Sequence, residues 1–430
     1  MELKELLDET VIPNKTFGNN GLSAVTPRSE KEIAEILKLA HEEGKKASII
    51  SGGTKRGYGG LIEEYDYLLS LANYKGIVEH TVGDMTVTVK PGTTIRELQS
   101  YLKEHNQMVS IDPNWPNDST IGGVIAANES GPKRLKYGSA RDLVIGLRVV
   151  YPDGSIIRTG GKVVKNVAGY DMNKLFIGSM GTLGVISEIT LKLRPTPKYE
   201  SLVVLSMQED KLEELRSFAV EIQDSMIEPA SLELLNPALS NKLLNRSGYN
   251  LLISFEDVEN SVHFQEDWVE GHKPNGAKTD LLTGDDAREF WKEFSSLAPN
   301  GLQDQDVEEY LEAVLKIASK NLHVLDIIEE TQRIQGKYHV EIEAHGGVGH
   351  GISHLILKGS QSSVTSAISH MQDFTKLKSG YATIKHLPLK LRSELNVWGE
   401  TPSYYFLLQG IKAKVDPNNT LNYKRFIGGI

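Results

Sequence analysis

A chain of 430 residues is too long for one ordinary hydrophobic core and implies two domains or three lobes. Its apolar (39%), charged (24%) and aromatic (7%) fractions are those of a globular protein, and a net charge of −10 with no aromatic-laced basic run speaks against nucleic-acid binding. With no cysteine, the chain can supply no disulfide, zinc thiolate, iron–sulfur cluster or cysteine nucleophile.

The first ten residues are charged and amphipathic, without the apolar core of a signal peptide, and no stretch has the ~18 apolar residues of a membrane span. A cytoplasmic protein with no direct membrane span is expected. Ser29 with Glu32 forms a capping box ahead of a helix whose apolar face is Ile33, Ile36, Leu37 and Ala40, with Gly44 as its stop. A short strand, 47–50, runs straight into Ser51-Gly52-Gly53-Thr54-Lys55-Arg56-Gly57. Strand 86–89 ends at Pro91-Gly92, and Thr94 with Glu97 caps a helix that buries Ile95, Leu98 and Leu102. A Pro/Asn/Asp-rich loop, 112–120, leads to Ile121-Gly122-Gly123 and the small-residue run 124–127. Strands 143–151 and 155–158 pair across Pro152-Asp153-Gly154, and a glycine-rich stretch, 178–184, feeds strand 185–193.

Pro195-Thr196-Pro197 marks a domain boundary. Beyond it the pattern is strand 202–205, helix 212–223 and strand 231–235, and then 251–255 with 261–269 as the start of a second such unit. An antiparallel sheet with helices on one face follows from this. Residues 282–335 read mostly as helix, with strands at 338–342 and 354–357, a helix near 364–377, a strand near 381–386 and a tail helix, 404–414. Acidic pairs such as Asp285-Asp286 and Glu308-Glu309 read as solvated helix positions.

Consecutive glycines in loop 51–57 leave backbone N–H groups open to an anion, and Lys55 and Arg56 add charge; a plain tight turn would have the same look. No Gly-x-x-x-x-Gly-Lys-Ser/Thr run is present, and Gly178, Gly181 and Gly184 are spaced by three and lead into a strand, so the P-loop and Rossmann readings fail.

The order of these sites resembles the FAD-binding family of vanillyl-alcohol oxidase and p-cresol methylhydroxylase. The matching stretches are the 51–57 loop, Val87-Thr88-Val89-Lys90-Pro91-Gly92, Ser119-Thr120-Ile121-Gly122-Gly123, Gly138-Ser139-Ala140-Arg141-Asp142 and Gly181-Thr182-Leu183-Gly184-Val185-Ile186. Lys165-Asn166-Val167-Ala168-Gly169-Tyr170-Asp171, Leu395-Asn396-Val397-Trp398-Gly399 and the tail from Ile411 to Gly429 bring it nearer the E-type FAD-binding subunits of bacterial glycolate oxidases. The resemblance implies an α+β fold: a two-lobed FAD-binding domain of vanillyl-alcohol-oxidase type (1–195), an antiparallel-sheet α+β cap domain (196–415), and a tail (416–430) returning to the first domain.

It also implies roles. The backbone of Gly52, Gly53, Thr54, Lys55, Arg56 and Gly57 would cradle the FAD pyrophosphate. Thr120, Ile121, Gly122 and Gly123 would pass close to the flavin. Gly138, Ser139 and Asp142 would line the cofactor channel, and Gly184, Val185 and Ile186 would run along the cofactor as a strand edge. Asn422 is expected at the flavin ring, although Tyr423-Lys424 replace the Pro-Gly of the family's Asn-Pro-Gly-Arg. Thr54 stands where some members carry a linking histidine, so FAD is expected to be held without a covalent bond.

Related catalytic flavoproteins carry Gly-His-x-Gly-Asp-Gly-Asn in the second domain; here Ala344-His345-Gly346-Gly347-Val348-Gly349-His350 loses the acid and the Asn. No catalytic residue or metal site is assigned. His345, His350 and His354 could make a metal cluster, with a glycine-rich turn carrying solvent-facing histidines as the favoured reading. The expected protein is a non-catalytic or electron-transferring FAD subunit, partnered by a homologous catalytic flavoprotein and an iron–sulfur subunit, meeting its hydroxy acid through that complex. The rivals are a free-standing FAD-dependent dehydrogenase of a small 2-hydroxy acid or alcohol, and an assembly subunit without redox turnover.

Overall fold

The computed structural model describes residues 14–161, 170–305 and 310–430; the N-terminal amphipathic segment, Lys165 to Gly169 and the Glu308-Glu309 pair lie outside the described residues. The chain opens with a parallel three-stranded sheet in the order Asn20–Val25, Glu64–Ser70, Ala47–Ile50. Helix Glu30–Glu42 packs on it through Ile33, Ile36 and Leu37, its start fixed by Ser29 accepting from the Glu32 N–H. An antiparallel five-stranded sheet follows, in the order Ile77–Thr81, Thr86–Val89, Val185–Lys192, Val144–Val150, Ile156–Gly160. Helix Ile95–Lys103, with the Thr94/Glu97 capping box in place, and helix Ile121–Ala127 fill its apolar face. The two sheets are joined by Glu30, whose carboxylate accepts from Arg148 Nε (2.9 Å) and Ser187 Oγ (2.6 Å).

The second half is one antiparallel eight-stranded sheet, in the order Lys278–Thr283, Tyr199–Met207, Tyr249–Asp257, Ser231–Leu235, Glu341–Gly347, Ile352–Gly359, Leu311–Ala318, Tyr381–His386. It is built from two βαββαβ units set back to back. The first uses helices Leu212–Asp224 and Glu259–His272, the second His323–Tyr338 and Gln361–Leu377. They meet where Ser231–Leu235 pairs with Glu341–Gly347, Leu235 opposite His345. The four helices cover one face and enclose the largest core.

The sequence expected helix across most of 282–335; the structure puts a strand, Leu311–Ala318, in the middle of it. Leu311, Ala313, Leu315 and Ile317 alternate toward the core, a period of two carried by residues that otherwise favour helix. The strand expected at 338–342 starts later, because helix His323–Tyr338 runs on to a left-handed cap at His339 (φ 53°).

The other face of the second unit is polar and turns toward the N-terminal sheets. Thr383, Lys316, His354 and His345 are register partners on four successive strands, so their side chains share that face.

Candidate functional site

Strand Ala47–Ile50 is held by Glu64–Ser70 on one side and by the tail on the other, where Ala47 bridges Leu421. It delivers loop 51–56 to a cleft of about 780 Å³. Of the expected residues, Gly52, Gly53, Thr54, Lys55, Arg56, Thr120, Gly122, Gly123, Gly184, Val185, Ile186 and Asn422 line this cleft together. The structure does not bring the other five to it. Gly57 lies against His386, and the Ile121 side chain is spent in the core. Ser139 and Asp142 close a local capping box instead, the Ser139 N–H donating to Asp142 Oδ2 (2.7 Å), and those bonds hold the carboxyl below its usual range. Gly138 (φ 81°) is the turn that lets them meet.

Two glycines are needed for close approach. A methyl on Gly52 would overlap the Asp118 carbonyl oxygen, and one on Gly122 would lie 2.5 Å from Pro91 Cβ. Sequence reasoning missed Arg425 and Met180 in the lining. Asn422, at φ 43°, accepts from the Ile49 N–H (2.9 Å) and donates to the Met180 carbonyl (2.7 Å), so its amide stitches the tail to the cleft wall.

The residues present fit a large, oxygen-rich anion such as the pyrophosphate of FAD. Ser51 Oγ and Arg425 Nε are buried in this lining with no hydrogen-bond partner, and orphaned polar atoms of this kind are costly unless something binds them. Among the described residues, Lys55 Nζ has no ion pair or hydrogen bond. Burial pushes the pKa values of Lys55 and Arg425 down, and burial together with Arg425 lowers Arg56 to about 10. Three cations thus surround a cleft that holds no carboxylate of its own.

A second, wider cleft of about 1590 Å³ shares Ala127 with the first and lies between the end of helix Ile121–Ala127 and the eight-stranded sheet. Tyr58 stacks on Trp398 in its wall (4.8 Å between centroids), and Lys316 and Thr383 form part of its lining. Behind both clefts sits buried Glu129, ion-paired with Lys385. Burial alone would raise its pKa, but Lys385, Lys55 and Lys316 hold it down to about 2.

The histidines of the 344–350 stretch do not face solvent, contrary to the favoured sequence reading. His345 Nδ1 donates to Glu233 Oε2 (2.8 Å) and His350 Nε2 to Glu233 Oε1 (3.1 Å). His354 is half-buried, with its Nε2 buried and unpartnered and its ring 5.2 Å from that of His345. Glu233, which sequence reasoning missed, comes from the neighbouring βαββαβ unit, so no local signal could have found it. Val348 is part of the core. Among the described residues, no group of three or more His, Asp or Glu is placed to hold a metal ion.

Residues 22–160 match a family described as the FAD binding domain. The fold is shared with p-cresol methylhydroxylase in a substrate-bound crystal structure (TM-score 0.69, 16% identity, covering 96% of this chain and 91% of that one). The chain is therefore an FAD-dependent oxidoreductase of the vanillyl-alcohol-oxidase fold, with an α+β architecture. Its relatives include the glycolate oxidase subunit GlcD of Bacillus subtilis, 28% identical over 93% of this chain and 87% of the relative. The D-lactate dehydrogenase of Archaeoglobus fulgidus is 26% identical over 93% and 89%. The glycolate oxidase subunit GlcE of Escherichia coli is 31% identical over 53% of this chain and 57% of the relative. No helix among the described residues is long and apolar enough to cross a membrane.

Proposed function

We propose that this chain oxidises a small 2-hydroxy acid with FAD held non-covalently, and works in the cytoplasm as a redox subunit of an assembly like glycolate oxidase, resembling the E-type subunit. The observation that carries the reading is the first cleft, with its glycine floor, three cations and orphaned polar atoms, in a chain similar over nearly its whole length to a glycolate oxidase subunit and a D-lactate dehydrogenase. In this reading the loop from Gly52 to Arg56, with Lys55 and Arg425, would hold the pyrophosphate, and residues of helix Ile121–Ala127 would hold the flavin. Bound FAD supplies the acceptor for the two electrons and the hydrogen of the carbon bearing the hydroxyl. The domains divide at 1–195, 196–415 and 416–430, the first break falling where the chain leaves one sheet system for the other.

Without a cysteine the chain cannot pass electrons through its own cluster, which supports an iron–sulfur partner beside a homologous flavoprotein. A free-standing dehydrogenase is the second reading, favoured by the polar row Thr383–Lys316–His354–His345 beside the wider cleft. Purification of the tagged chain from its native cells separates them. Hydroxy-acid:dye activity that co-elutes with a stoichiometric iron–sulfur protein supports the subunit reading. Recovery of the chain by itself, with neither an iron–sulfur protein nor a second flavoprotein at any stoichiometry, rules it out.

A further inference from the structure

The charge behind the clefts does not balance. Lys55, Lys316 and Lys385 all act on one carboxylate, Glu129, and Lys385 takes it in an ion pair. Among the described residues, neither Lys55 nor Lys316 has an ion-pair partner of its own. Both are half-buried and line open clefts, where a cation without a counter-charge of its own favours an anion brought from outside. Lys55 lines the first cleft, where the pyrophosphate is proposed to lie. Lys316 lines the second, and the cofactor's charge gives no account of it.

Lys316 sits on a central strand of its βαββαβ unit, between His354 and Thr383. Thr383 shares the cleft wall with Tyr58, which follows directly on the glycine loop. Asn128, at the end of helix Ile121–Ala127, lies in the same wall with a buried, unpartnered Oδ1. A cation, a hydroxyl pair and an amide thus converge from both halves of the chain on one cleft, a donor set suited to a small carboxylate bearing a neighbouring hydroxyl. We propose that Lys316, flanked by Thr383 and Tyr58, is the seat of the substrate carboxylate and sets the preference for hydroxy acids over plain alcohols. This rests on the 2-hydroxy-acid reading above and adds the residue that enforces it.

Burial lowers Lys316 to about 8, with Lys385 contributing, against the opposing pull of Glu129; Arg134 also lowers it, and neutral His354 adds no charge beside it. Lys316 is cationic below that pH and loses its charge above it. Anion affinity therefore falls as pH rises through about 8.

The test uses the full chain with FAD bound, titrated by calorimetry with oxalate, a dianion that cannot be oxidised. The expected result is saturable binding to wild type, weakened at least about tenfold by Lys316→Met and restored by Lys316→Arg, with flavin content unchanged in all three. Lys316→Arg should also lose the fall in affinity above pH 8, since guanidinium stays charged. In turnover, Lys316→Met should raise KM for the hydroxy acid far more than it lowers kcat. Lys316→Gln serves as a second variant, and removing a charge that has no ion-pair partner among the described residues should not unfold either one. Oxalate binding by Lys316→Met equal to wild type overturns the proposal; if a hydroxy acid still bleaches the wild-type flavin, the functional reading stands. Wild type that neither binds oxalate nor is bleached by any hydroxy acid overturns both.

Discussion

At Gly52 the fold leaves no room for a side chain, because a Cβ would overlap the carbonyl oxygen of Asp118 from the loop that leads into helix Ile121–Ala127. Gly52→Ala must push that loop away, so the purified protein should come off the column colourless, or with FAD at least about tenfold weaker by titration, while far-UV circular dichroism stays that of wild type. Residues of this kind are legible in sequence because their chemistry is local: two glycines after a buried strand allow little else. The same holds for Thr120, Gly122 and Gly184, expected beside the cofactor and lining one cleft with the glycine loop. Lys316, Glu129, Glu233 and Arg425 are not legible in this way. A lysine at an alternating strand position looks like a solvated one until the fold places a second lobe over that face, and Glu233 earns its two histidines only because two units join edge to edge. Gly138, Ser139 and Asp142 mislead in the opposite sense: a capping box and a cofactor channel call for the same small and acidic residues.

Most elements were readable wherever capping chemistry and periodicity agreed, as in helix Ile95–Lys103 and strand Ala47–Ile50. Strand Leu311–Ala318 was not, because leucine, alanine, glutamate and lysine favour helix and only the alternation of burial betrays a strand. One buried ion pair braces the tail beside the contacts of Asn422. Lys412, 4% exposed, donates to Asp416 Oδ2 (2.6 Å), to the Thr182 carbonyl (2.8 Å) and to the Leu421 carbonyl (3.1 Å), while fully buried Asp416 accepts from the Thr420 and Leu421 N–H groups. Lys412→Met leaves that carboxylate charged and unpaired, and should cost about 3–5 kcal/mol by urea unfolding. Flavin affinity should fall with it, since the same tail carries Asn422 and Arg425 into the cleft. Arg392 plays the matching part for the second half of the chain. It is buried, donates Nε to the Leu387 carbonyl (2.9 Å) and Nη1 to that of Gly60 (2.9 Å), and also reaches the carbonyls of Gly59 and Phe17. Arg392→Met strands these carbonyls and should lower the thermal midpoint in a scanning experiment by several degrees, through a loss of about 1–3 kcal/mol for each buried group left unpaired.

Across the whole molecule, two βαββαβ units share one sheet, put their apolar face under four helices and leave the polar face of the second unit for the N-terminal lobes. The sequence suggested a repeated unit, but not that the repeat would turn a polar face inward, since that depends on how two halves of one chain close on each other. The cofactor is what bridges them in this account. Thr54 lines the cleft where a linking histidine stands in some relatives, and the chain has no cysteine. Acid precipitation should therefore release all of the flavin as intact FAD, and free FAD at a thousand times its Kd should stabilise the fold by about 4 kcal/mol, read as a concentration-dependent rise in melting temperature. Flavin that stays with the precipitate would point to a covalent bond.

Oxidation of a small 2-hydroxy acid by this chain must leave its electrons on the bound FAD. The most direct measurement is the anaerobic visible spectrum of the FAD-loaded chain before and after adding glycolate and D-lactate. At least one of them should bleach the flavin absorbance, with one equivalent of 2-oxo acid formed per flavin. Flavin that is fully bound yet unchanged by both acids would contradict that oxidation.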